Sequence, residues 1–442
     1  MQRPSRYLSV GMSLLAASLL SAGSMAAPSG YLPGSTLTLG AISNNFTLNS
    51  LAYNPAVGEL LLREGEANRF GWLSSFGANN EFGDVQNFEG EINDLADQVD
   101  RDDLTLNEAA DLVDRFNAIL PAFGQDGYVK INAGGALPAF PAVFHFSQLP
   151  GNFFIDAGTE LLISGQFIDA PVEVNVNGSS GSITTESSMY LKSGLNLRLG
   201  MGYAQTVFNR NEGFGKGQLI LGIKTDVHRL ALSKQVIQVQ DVDDLAQTVE
   251  DDYRNNEMVS TNVSVNLGAI WKANFYQLGV TFNNLNEPEF EYGTIGEDCA
   301  TYSGNSQANC FQAQSFASKG RLQAREVHTM YAYPTVDGSL WLKRNVMVGA
   351  SLDLAAHEDF VGSDYQWLNF AAFYQPRFWA LPGIRMGYRQ NQVGTELASV
   401  SAGITLFRNA NLDLEYGLNT TEYDGNSAPR TFGINFGFEE HF

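Results

Sequence analysis

The chain has 442 residues, of which 26 are basic and 48 acidic, a net charge of −22 at neutral pH. Nucleic-acid phosphates would be repelled by such a surface and no basic stripe offsets the repulsion, so no direct nucleic-acid binding is expected. Aromatic side chains are abundant, with 29 Phe, 17 Tyr and 5 Trp beside 44 Gly, yet after the first residues no apolar run is long enough for a helical membrane span.

Arg3 and Arg6 precede a short apolar run, Leu8 to Leu20, and Ser24-Met25-Ala26 supplies small residues for cleavage, so residues 1–26 read as a secretory signal peptide. The run is too short and too rich in Ser, Gly and Ala to serve as a membrane anchor. Residues 27–68 form the next segment. Leu37, Leu39, Ile42, Phe46, Leu48, Leu51 and Leu60 need burial there, but their spacing is too irregular for a lipid-facing strand. Within it Asn54-Pro55-Ala56 marks a rigid turn, because Pro55 fixes its own φ and holds Asn54 extended.

Arg69 to Gly77 is the first expected strand of a barrel over 69–442. Glu89 to Leu120 then carries Ile92, Leu95, Val99, Leu106, Leu112, Val113 and Phe116 at helical spacing on an acidic background. Two helices are expected, broken near Asp102 to Asn107, with Thr105 and Glu108 as a capping box for the second and Pro121 as its end. Asp241 to Asn255 repeats the acidic pattern. Such helices cannot face lipid, so they belong outside the membrane or in a barrel mouth.

The remaining segments alternate. Leu195, Leu197, Leu199, Met201 and Tyr203 interleave with small or polar residues, as do Leu412, Leu414, Tyr416 and Leu418. Similar stretches occur at 143–146, 153–167, 217–232, 259–272, 277–283, 326–337, 345–354, 366–378, 383–390 and 397–407. With the first and last strands they predict an all-β fold, a transmembrane antiparallel barrel of about 14 strands. Arg198, Arg385, Arg389, Asp413 and Glu415 lie on the small-residue parity, where they would face a lumen and either line a path or pair with one another. Trp271, Trp341, Trp367, Trp379, Tyr374 and Tyr388 fall near strand ends and suit interfacial girdles. Cys299 and Cys310 flank a polar segment and are expected to form a disulfide that staples a surface loop. The final stretch alternates Phe432, Ile434, Phe436 and Phe438 with Gly433, Asn435, Gly437 and Glu439, and continues to Phe442.

That aromatic ending resembles the terminal strand of bacterial outer-membrane barrels, which implies that Phe442 is read by the barrel assembly machinery. An early Asn-Pro-Ala in a secreted acidic chain resembles the FadL-type fatty-acid transport barrels. It is more similar still to the conjugal transfer TraF-like outer-membrane barrel family, which shares the triplet and carries acidic helical inserts. The resemblance implies a plug formed by the N-terminal segment, with Asn54 bonded to polar groups of the wall such as Arg198, Arg385 or Arg389. It also implies a Gram-negative outer-membrane location, lipid contact, and conjugation proteins as partners. The chain has no Cys-x-x-Cys, unlike the thioredoxin-like conjugation protein that shares the TraF name.

Enzyme chemistry finds little footing. His145, His228, His328, His357 and His441 are scattered, and neither His-Glu-x-x-His nor Gly-x-Ser-x-Gly occurs. Asp97, Asp100, Asp102 and Asp103 lack the Gly and Glu of an EF-hand loop and read as a solvated helix end. No catalytic residue, metal or cofactor is expected. Two functional readings stand: a non-enzymatic barrel associated with plasmid transfer, and a transporter or diffusion channel for a hydrophobic ligand.

Overall fold

The structure, a computed structural model, describes residues 36–441 apart from 63–64, 100, 178–179, 214, 240–252, 254–255 and 424–425. The signal peptide, the helix expected at 241–255 except for Tyr253, and Phe442 therefore lie outside the described residues.

Fourteen antiparallel strands form the wall, and the last pairs with the first, so the barrel is closed. In chain order they are β1 (Asn68–Phe82), β2 (Tyr128–Ala136, resumed at Ala142–His145), β3 (Asn152–Ile168), β4 (Ser188–Arg210), β5 (Gly217–Gln238), β6 (Met258–Ala273) and β7 (Tyr276–Asn283). They continue as β8 (Tyr333–Lys343), β9 (Val346–Asp353), β10 (Trp367–Tyr374), β11 (Gly383–Asn391), β12 (Ala398–Leu406), β13 (Ala410–Gly417) and β14 (Thr431–His441). The alternation fixes the faces. Phe432, Ile434 and Phe436 are exposed on the outside, while Asn435 and Glu439 are buried toward the lumen. Along the regular stretches of wall the N–H and C=O groups find partners within the sheet, the condition for crossing hydrocarbon.

One end carries short turns and the other carries the inserts, the arrangement in which short turns are periplasmic and long loops extracellular. β4 and β5 run 23 and 22 residues, about twice what a membrane crossing needs, and project beyond the bilayer at the insert end. Outside this projection lies the first insert, with helices α1 (Phe88–Val99) and α2 (Leu106–Asp126). Their buried face, including Ile92, Leu95, Phe116 and Leu120, packs with Phe167 of β3 and with Ile183 of an extracellular hairpin at 172–185. Arg115 clamps the two helices through Glu91 and Asp94, each at 2.5 Å. The Thr105–Glu108 capping box forms. Pro121 does not end α2, however. The helix continues to Asp126 because burial of Phe123 in the same cluster outweighs the missing N–H, and Gly127 closes it by donating to the Phe123 carbonyl at 2.8 Å.

On the inner side, residues 284–332 and 354–366 fold back into the mouth. Phe290, Tyr292, Phe360 and Val361 bury against Leu162 of β3 and Leu230 and Leu232 of β5. A further helix, α3 (Gly304–Ser318), packs through Ala313 and Phe316 against Tyr190 and Val236. The Cys299–Cys310 disulfide joins the 3-10 turn at Cys299–Thr301 to α3 with Cα atoms 5.4 Å apart, a short ring that contributes roughly 2–3 kcal/mol.

The wall is interrupted once among the described residues. Between the halves of β2, residues 137–141 contain Pro138 and Pro141, which cannot donate to a ladder. The segment leaves the regular ladder and is held by Gly71 N–H to the Pro141 carbonyl at 3.0 Å and Ala139 N–H to the Trp72 carbonyl at 3.1 Å. The adjoining part of β1 has register shifts against β14 between Gly71 and Phe76.

Candidate functional site

The lumen is the candidate site, and its lower half is filled by residues 36–62. This segment has a helical turn at Thr36–Leu39 and 3-10 helices at Leu48–Ala52 and Pro55–Glu59. Leu48, Leu51, Ala56 and Val57 are fully buried and pack with Val143, Phe154, Ala204, Ile220 and Ile270 of the wall. Wall carboxylates tether it around the circumference. Thr38 donates to Asp413 at 2.5 Å, Ser43 N–H and hydroxyl reach Asp337 at 3.0 and 2.8 Å, and Thr47 and the Leu48 N–H reach Glu439 at 2.5 and 3.0 Å. Arg69 binds Glu439 at 3.0 Å and the Phe46 carbonyl at 2.8 Å.

Asn54, Pro55 and Ala56 sit at the bottom of this packing. Asn54 does not bond to an arginine: its Oδ1 accepts from the Ala56 N–H at 3.0 Å, capping the second 3-10 helix, whose first residue is Pro55. The turn lies flat on Gly222 and Gly268, cross-strand partners of β5 and β6. A Cβ on Gly222 would stand 2.3 Å from the Ala56 nitrogen, and one on Gly268 would stand 2.1 Å from Asn54 Oδ1. The paired glycines are therefore the seat of the triplet.

The inward ions pair tightly. Arg385 grips Asp413 through Nε at 3.1 Å and Nη2 at 2.9 Å, with Thr405 and Asn411 taking Nη1. Gly403 makes this reach possible. It lies between the two in register, and its Cβ would fall 2.0 Å from Asp413. Arg389 binds Glu415 at 2.5 and 2.6 Å, assisted by Ser399, and stacks 4.6 Å over Trp367. Arg198 joins Asp226 at 3.1 Å and Asp156 at 3.4 Å, and Lys224 meets the same two at 3.0 and 2.6 Å. Higher up, Lys130 contacts Asp359 and Tyr365, while Tyr365 and Tyr128 donate to Glu81 at 3.2 and 2.6 Å. Sequence reasoning missed Asp156, Lys224, Asp226, Lys130, Glu81, Asp337 and Glu439. Their signal was the inward parity of their strands, shared with the glycines beside them.

Such pairs are strong only while complete. Replacing Arg389 with Met strands Glu415 in the interior and is expected to destabilise the barrel by about 3–5 kcal/mol, whereas Arg389→Met with Glu415→Leu should recover most of that loss. Reversible urea unfolding in lipid vesicles measures both. Equal losses in the single and double variants would show that the pair is not the source of the effect.

Between the luminal segment and the mouth inserts is a cavity of about 190 Å³ with a mixed lining that includes Tyr53, Arg198, Asp226, His228, Met330 and Asp353. His328, in the insert above it, is buried against Phe360. Burial pushes its pKa down to about 4, which Asp359 and Glu326 oppose and Lys192 reinforces. An unfolded histidine titrates near 6.5, so between about 6.5 and 4 only the unfolded insert takes up the proton. The insert is accordingly expected to hold full stability above pH 6.5 and to loosen as pH falls toward 4. Amide exchange at Phe290 and Tyr292, corrected for intrinsic rate, should show this, and His328→Gln should weaken the dependence, with the remainder carried by buried His357 of the adjoining insert. A flat profile in the unmodified chain would contradict it.

A closed, even-stranded antiparallel barrel with an apolar exterior and a polar, filled interior defines a bacterial outer-membrane β-barrel protein. The chain belongs to the family described as "F plasmid transfer operon, TraF, protein", whose pattern matches residues 51–353. No curated protein matches it in sequence. Among solved structures it is similar to the toluene transporter TbuX of Ralstonia pickettii, at 11% identity over 93% of this chain and 99% of that one, with a TM-score of 0.42. It is similar also to the toluene transporter TodX of Pseudomonas putida (12% identity, 93% and 96% covered, TM-score 0.43) and to a Pseudomonas aeruginosa FadL homologue (11%, 94% and 99%, TM-score 0.42).

Proposed function

We propose that the protein is a non-enzymatic outer-membrane barrel that serves plasmid-transfer machinery by displaying its extracellular inserts, with its own lumen plugged. The observation that carries this reading is the filling of the barrel from both ends, by residues 36–62 below and by the inserts at 284–332 and 354–366 above. The cavity between them is small and carries paired ions in its lining, and an apolar solute would have to desolvate those ions to pass. Family membership supports the link to plasmid transfer. The test is a deletion of the gene in donors or in recipients of a self-transmissible plasmid. Transfer should fall in one of the two and return with the intact chain; unchanged transfer in both would overturn the proposal.

The interrupted strand favours a second reading, a transporter of hydrophobic compounds that leave the lumen sideways through the wall. Its support is local. The prolines at 138 and 141 and the register shifts in β1 weaken the same patch of wall. A cysteine pair that crosslinks residues 73 and 140 would block such an exit, so uptake of a hydrophobic compound by cells should then fall. Equal uptake with and without the crosslink would dismiss it.

A further inference from the structure

A second cavity lies outside the barrel, beneath α1, where β1 and β2 reach the extracellular rim. It encloses about 280 Å³ and is lined by Phe82, Val85, Phe88, Val129, Thr421 and Ala428, among others. Its surface is almost wholly carbon. The Tyr128 hydroxyl, which could have supplied a polar group, points away into the lumen, where it donates to Glu81 at 2.6 Å. A hollow of this kind stays dry, and the atoms around it lose contacts unless an apolar chain fills it.

The position says where that chain comes from. Phe82 and Val129 are register partners and share the outward parity of the wall. One step toward the membrane, Asn80 lies opposite both Ile131 and Phe432, and Phe432, Ile434 and Phe436 form an exposed apolar row down the outside of β14. The floor of the cavity is thus continuous with the lipid-facing surface at the insert end of the wall. The roof belongs to the insert, through Val85 and Phe88, and the side wall to the hairpin at 420–429.

We propose that this pocket holds one acyl chain of an outer-leaflet lipid, so that the first insert is seated on the membrane through a bound lipid as well as on the barrel. This site is separate from the lumen and does not depend on which solute, if any, crosses it.

The test uses the full chain in vesicles of phosphatidylethanolamine and phosphatidylglycerol containing a small fraction of phospholipid with a photoreactive diazirine near the end of one acyl chain. After illumination, labelled peptides are mapped by mass spectrometry. Labelling around Val85, Phe88 and Ala428 should exceed labelling of the Phe432–Phe436 row. Ala428→Trp, which fills the hollow from the hairpin side, should reduce the pocket signal several-fold and leave the row unchanged. Thr421→Trp, on the neighbouring strand of the same hairpin, should do the same without touching a wall strand. Pocket labelling no greater than the row, or insensitive to both tryptophans, would overturn the proposal. So would labelling obtained only with a free diazirine fatty acid added from solution, because the occupant would then not be a membrane lipid.

Discussion

Removal of residues 36–57 is expected to leave a barrel that still assembles and conducts ions about tenfold more readily in planar bilayers, since fourteen strands enclose a lumen too wide to be closed by wall side chains alone. Assembly should survive because the wall ladders close on one another, β14 onto β1, without a strand from the plug. The carboxylates that lose plug partners are not left bare. Asp413 keeps Arg385, Glu439 keeps Arg69, and Asp337 becomes open to water. A deletion that conducts no better than the intact chain would place the barrier in the extracellular inserts instead.

The second large effect is expected from Gly268→Leu. The new side chain would occupy the space of Asn54 and Pro55, whose atoms lie within 3.0 Å of an ideal Cβ at that position. Neither the wall ladder nor the triplet can yield by more than a few tenths of an ångström, so the turn must lift off its seat. Overpacking of this kind costs about 1–3 kcal/mol where a core can relax, and here the plug can relax by leaving. Limited proteolysis from the periplasmic side should therefore cut within 45–62 in the variant and not in the intact chain, and conductance should rise toward that of the deletion. Gly338→Ala is the control, because its nearest neighbour would be the end of the Leu278 side chain at 3.3 Å. Equal protection of both variants would mean that the glycine pair does not seat the triplet.

Much of the wall was legible because lipid imposes a strict dyad. Phe432, Ile434 and Phe436 alternate with small or polar residues for a physical reason that nothing in the interior can override. The first half of β2 escaped notice. Tyr128–Ala136 reads as Tyr-Val-Lys-Ile-Asn-Ala-Gly-Gly-Ala, and its outward residues shrink toward the interruption, so the apolar face fades out. The mouth inserts at 284–332 and 354–366 were also opaque, because their core residues, such as Phe290 and Phe360, meet only through the barrel's inner surface and leave no periodic trace. In the lumen, the inward parity of Arg198, Arg385, Arg389, Asp413 and Glu415 could be read, but their partners could not. Pairing across a whole strand, as Arg385 does over Gly403, depends on register. The Asn54 contact was misjudged for a related reason: an asparagine before proline serves its own turn first, and the arginines already had carboxylates.

Glu439 has one more consequence, in the order of events during biogenesis. Its carboxylate receives Thr47, Leu48 and Arg69, yet it belongs to β14, the last strand to leave the exporting machinery. The plug is made first and its anchor last. Until β14 zips against β1, the turn at Thr47 lacks the carboxylate that receives it, although the seat on Gly222 and Gly268 and the tether to Asp337 are already in place. Closure of the seam therefore supplies the last of the plug's tethers, the one nearest the start of β1.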